Sequence, residues 1–191
     1  VLFTIREQRS WLLSNFADLV LREGLSMELA DWVRIGLERP EDFYADPDFD
    51  RTIAIYESLF GRDRVHVLAY EQMVAEPDRF ARALAEVGGL PAAEVERRLR
   101  ELPRSKTRAE LSDRDNPYVS KRDNPAKRHV ASNIVAPTTL DDASARAIVA
   151  RCAAGNAALS ERFGIALERW GYTLSASAVG ESAVGENVAA G

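Results

Sequence analysis

Two short β-rich runs dominate what this chain can become: residues 1–5 (VLFTI) and residues 64–70 (RVHVLAY), set far apart by a long stretch of helical pattern. Antiparallel neighbours need only a hairpin between them, whereas parallel neighbours need a long crossover, usually helical. The spacing therefore predicts parallel pairing and an α/β architecture, a parallel sheet with flanking helices. The first run is almost continuously apolar, which predicts a strand covered on both faces.

The helices are marked by apolar spacing and by punctuating residues. Ser10 is a candidate N-cap for a helix over 10–23, with Trp11, Leu12, Phe16, Leu19 and Val20 apolar and Gly24 as its stop. Ser26, Leu29, Val33 and Leu37 indicate a second helix, after which Pro40 and Pro47 bracket an acidic loop. Ile53, Tyr56, Leu59 and Phe60 mark a third, closed by Gly61. Pro77 opens a helix that runs to Gly88-Gly89, and Pro91 opens another with Val95 and Leu99 inward, ending near 102. A last helix spans roughly 140–163 and is followed by Gly164 and then Trp170-Gly171-Tyr172.

Between 103 and 139 the composition changes. Eight Lys and Arg stand against four acids over 104–128, a local net of +4 in a chain whose net charge is −5. Two Arg-Asp-Asn-Pro runs, at 114–117 and 122–125, add turn signals, so the segment reads as a long basic loop. Loops of that length are usually functional or disordered. Residues 174–191 carry a tandem SAVGE and read as a disordered low-complexity tail, leaving 1–173 as one domain.

Hydrophobic residues make up 46% and charged residues 29%, the balance of a soluble globular domain. The acidic total argues against nucleic acid as a partner, and only Tyr118 interleaves the basic loop where stacking would need several aromatics. Cys152 is the single cysteine, which excludes an internal disulfide and a multi-cysteine metal site and suits a reducing, cytoplasmic setting. With His66 and His129 as the only histidines, no metal centre is expected. No apolar run approaches the ~20 residues of a membrane span, and the start does not resemble a signal peptide. The chain opens without Met and inside a strand, so it reads as the C-terminal portion of something longer.

The most informative stretch is residues 5–15, IREQRSWLLSN. In an open parallel sheet, ligands bind beyond the carboxyl ends of the strands. Arg6 falls at that end of the first strand and Ser14 in the early turns of the helix that follows. A guanidinium and a hydroxyl so placed suit a phosphate group, with help from the helix dipole. The competing reading pairs Arg6 with an acid and leaves Ser14 to solvent.

This arrangement resembles the 3′-phosphate-binding motif of sulfotransferases, commonly Arg-Asn-Pro with a Ser eight positions after the Arg. Here the Arg and Ser keep that separation, while Glu7-Gln8 replaces Asn-Pro. Two further segments agree in order. Residues 60–73, FGRDRVHVLAYEQM, are similar to the family's FG-x-D-R, strand, Tyr-Glu segment, followed by Glu76-Pro77 and Gly89-Leu90-Pro91. Asn156 through Leu159, Phe163-Gly164 and Gly171-Tyr172 resemble the closing pattern of bacterial members. The resemblance covers about 1–173. It implies a P-loop nucleotide-kinase-like fold and sulfuryl transfer from 3′-phosphoadenosine 5′-phosphosulfate (PAPS) to a hydroxyl or amine. The product nucleotide would be 3′-phosphoadenosine 5′-phosphate (PAP), and the acceptor a small molecule, carbohydrate or lipid. It also implies that a late basic loop closes on the 3′-phosphate. Lys127 and Arg128 are the first candidates for that contact and Lys121-Arg122 the next. The family's Gly/Ser/Thr/Lys-rich 5′-phosphosulfate loop and its His or Glu base are not found in this sequence and are expected upstream of Val1.

Other residues carry plainer expectations. Tyr70 and Glu71 read as a packed rim residue and a hydrogen-bonded structural carboxylate. His66, inside a strand, reads as a packing contact and Cys152 as an inert thiol. Trp11, Phe16, Trp32 and Trp170 read as core, or as the wall of an acceptor cleft. Two alternatives to a sulfotransferase stay open: a non-catalytic α/β interaction module, and a phosphotransferase of related fold. The oligomeric state is also open.

Overall fold

The first strand, β1 (Leu2–Ile5), pairs in parallel with β2 (His66–Ala69), in a register running from Leu2 opposite His66 to Ile5 opposite Ala69. The computed structural model describes residues 1–19, 25, 27–39, 46–101 and 139–176. The basic loop, with Lys121, Arg122, Lys127 and Arg128, lies outside them, as does the SAVGE repeat. Between the strands run α1 (Gln8–Asp18), α2 (Leu29–Glu38) and α3 (Phe49–Phe60), then a 3-10 turn at Arg62–Arg64. After β2 come α4 (Tyr70–Ala75), α5 (Pro77–Gly88), α6 (Ala92–Glu101) and α7 (Asp142–Phe163), then a 3-10 turn at Leu167–Trp170. Among the described residues the architecture is mostly helical with a two-stranded parallel sheet, an α/β arrangement in the broad sense. None of the described helices is long and apolar enough to cross a membrane.

Several element boundaries depart from expectation, and two of them bear on the candidate site. The first helix begins at Gln8, not Ser10, because Glu7 caps it. The Glu7 carboxylate accepts the backbone N–H of Arg9 at 3.2 Å and of Ser10 at 3.0 Å, and a negative charge is favoured at that end of a helix. The second strand stops at Ala69, and the six residues Tyr70–Ala75 turn helical, too short a run to show an apolar period.

The sheet packs one face on a cluster of Ile5, Ile53, Val65, Val67, Ala69, Leu159, Leu167 and Tyr172. Phe3 and Leu174 flank it, so the packed chain extends past residue 173. The expectation of two covered faces for β1 is not met, whereas in β2 Val67 and Leu68 are both buried. Leu2 and Thr4 point away from the cluster and are exposed, because the described helix α5 contacts the sheet at β2. A second cluster joins Leu12, Leu13 and Phe16 of α1 with Leu29, Trp32 and Val33 of α2 and Ile148 and Cys152 of α7. At ~33 Å long, α7 reaches both clusters. Midway along it, Gly155 meets the start of α3 so closely that a Cβ there would lie 3.0 Å from Asp48 Oδ1.

Candidate functional site

Parallel pairing sets the carboxyl ends of β1 and β2 side by side, and the next residue of each chain segment defines the candidate site. Arg6 follows Ile5 and Tyr70 follows Ala69; the guanidinium carbon of Arg6 lies 5.0 Å from the centre of the Tyr70 ring. Such a contact contributes on the order of 0.5–1 kcal/mol when partly exposed. Arg9, Arg51, Arg151 and Arg162 all pair with carboxylates, whereas among the described residues none pairs with Arg6. Its charge is therefore held by an aromatic face and remains available to an anion.

Ser14 lies on the exposed side of α1, while Leu12, Leu13 and Phe16 turn inward. At a rise of ~1.5 Å per residue it sits about 9 Å along the axis from Gln8. Ser14 thus stands in the second turn of α1, the helix that follows Arg6. The helix N-terminus contributes less than expected, since the Glu7 carboxylate already occupies the N–H groups of Arg9 and Ser10.

Two carboxylates, Glu7 and Glu71, stand beside the turn that carries Arg6, and each is committed to partners. Glu7 is committed to its cap and to Arg9, whose Nε lies 2.7 Å away. Glu71 accepts the Glu7 backbone N–H on Oε1 at 2.8 Å and the Tyr172 hydroxyl on Oε2 at 3.1 Å. Burial, with the Glu71 carboxylate next, pushes the Tyr172 phenol well above its ordinary range, so it stays a proton donor. Beneath this lies a buried amide pair. Gln8 donates to Asn156 Oδ1, and Asn156 Nδ2 donates to Gln8 Oε1 at 3.2 Å and to the Thr173 carbonyl at 3.0 Å. The Arg6 guanidinium and the exposed Ser14 hydroxyl are donor groups of the kind that a phosphate ester accepts.

Glu7, Gln8, Asn156 and Tyr172 are the residues that sequence reading left out of this region. The replacement of Asn-Pro by Glu7-Gln8 was the available signal: one residue caps the helix and the other is buried at its root. His66 stands at the opposite, amino end of β2, half-buried beside Leu2. The Cys152 thiol is buried, lies 3.6 Å from the Pro47 carbonyl, and is pushed up to about 12 chiefly by burial. Phe16 and Trp32 are core, packed at 5.4 Å, and Trp11 meets Phe49 edge-on at 5.2 Å. Among the described residues no three His, Cys, Asp or Glu side chains gather as metal ligands.

Comparison with family models, with curated proteins and with solved structures gives no match to this chain.

Proposed function

We propose that residues 1–173 form the 3′-phosphate-binding part of a sulfotransferase domain of P-loop nucleotide-kinase-like fold that uses PAPS as donor. The observation that carries this reading is Arg6, beyond the carboxyl end of a parallel strand, resting on Tyr70 with no carboxylate partner among the described residues. The ordered resemblance of the three sequence segments supports it. Arg6 and Ser14 hold the 3′-phosphate, and Lys127 and Arg128 of the basic loop complete the contact. The donor, when bound, supplies the sulfuryl group that an acceptor hydroxyl or amine displaces in line. The chain's own part is to fix the nucleotide in register and to select it over nucleotides lacking the 3′-phosphate. No turnover is expected of this chain by itself, since its sequence offers no phosphosulfate loop and no assigned base.

Calorimetric titration with PAP and with 5′-AMP tests the reading. A clear preference for PAP is expected, and Arg6→Ala should cost about 1.5–3 kcal/mol of PAP binding, the range for a hydrogen bond to a charged group. PAP binding no better than that of 5′-AMP favours a non-catalytic interaction module. Competition by ATP as effective as that by PAP favours a phosphotransferase.

A further inference from the structure

We infer that Glu71 is a positioning residue that sets the preference for a 3′-phosphorylated nucleotide by fixing the turn that carries Arg6, an inference that rests on the function proposed above. Its two carboxylate oxygens serve two segments far apart in sequence. Oε1 takes the backbone N–H of Glu7, one residue beyond Arg6, and Oε2 takes the hydroxyl of Tyr172, near the far end of the described chain. The β1–α1 turn therefore cannot slide past the end of β2 without breaking the first bond. Tyr70, which seats the Arg6 guanidinium, is the residue immediately before Glu71, so seat and strut move as one. Glu71 does not touch the phosphate in this scheme. Its negative charge opposes an anion nearby, and its value lies in reach and acceptor geometry.

Charge and reach are separated by two substitutions. Glu71→Gln keeps the length and one acceptor oxygen, loses the charge, and can donate its amide to the Tyr172 oxygen. Glu71→Asp keeps the charge but is one methylene too short to serve both partners. In the full 191-residue chain, with circular dichroism as the folding control, PAP and 5′-AMP affinities are measured for wild type and both variants. Hydrogen exchange at the Glu7 amide is followed alongside. The Gln variant is expected to keep or raise the PAP preference with a protected Glu7 amide. The Asp variant is expected to lose at least tenfold in that preference and to exchange the amide faster. A Gln variant that loses the preference, or an Asp variant that keeps it, overturns the positioning role. A wild type that binds both nucleotides equally overturns the proposed function instead, and unchanged Glu7 exchange in the Asp variant then overturns the strut as well.

Discussion

Cys152 and Tyr172 are both almost completely buried, and burial favours the neutral, protonated form of each. The thiol moves from 9.0 to about 12 and the phenol moves upward from 10.0, the latter also because Glu71 stands beside it. The sign of the linkage follows. Above pH 9 the unfolded chain sheds the thiol proton while the folded chain keeps it, so unfolding releases protons and stability falls as pH rises. Each group adds up to about 1.4 kcal/mol per pH unit once its unfolded value is passed. Urea denaturation at pH 8 and pH 11 should show a steep alkaline loss in the wild type. A chain carrying Cys152→Ala and Tyr172→Phe should show a shallower one. The same slope in both proteins would contradict the assignment. At pH 8 the native thiol should also resist alkylation by iodoacetamide until the chain is unfolded.

At the level of elements, the cap of α1 separates two readings of one short segment. Ser10 has the preferred residue type for an N-cap, but Glu7 makes the bonds. Glu7→Ala should therefore cost about 1 kcal/mol in urea unfolding, while Ser10→Ala should cost a few tenths or less; the reverse order would restore Ser10 as the cap. Helix ends were legible where glycine or proline carries a backbone requirement, as with Pro77 at the start of α5 and left-handed Gly89 and Gly164 at the ends of α5 and α7. The parallel pairing was legible too, because crossover length leaves little choice. Of the candidate site, only the local arrangement could be read from the sequence. The place of Arg6 follows from strand then helix, a pattern of neighbours. That Glu71 meets Tyr172, 101 residues on, follows from tertiary packing alone, and no local period announces it. The exposed face of β1 was missed for a related reason: an apolar run states what can be buried, and the neighbouring elements decide what is.

Across the whole molecule, α7 joins what the order of the chain separates. Ile148 and Cys152 belong to the cluster with α1 and α2, and Leu159 to the cluster under the sheet. Asn156 lies between them, bonded to Gln8 at the root of α1 and to Thr173 beyond the 3-10 turn. Gln8 and Asn156 are each 3% exposed, so neither can exchange its partner for water. Removing one of two such partners leaves the other unsatisfied, a penalty of about 1–3 kcal/mol, whereas replacing both by apolar groups of similar shape is far less costly. Gln8→Leu and Asn156→Leu should each lower stability by about 2 kcal/mol in urea denaturation. The double variant should lose clearly less than the sum, the remainder reflecting the Thr173 carbonyl, which loses its donor in either background that lacks Asn156. Strict additivity would mean that the two amides contribute separately and do not act as a pair. Coupling of the expected sign would instead show that the amide pair fixes how the two clusters meet. Gln8 stands two residues after Arg6 at the start of α1, so on the proposed function each single variant, which leaves one amide unsatisfied, should weaken PAP binding more than the double variant does.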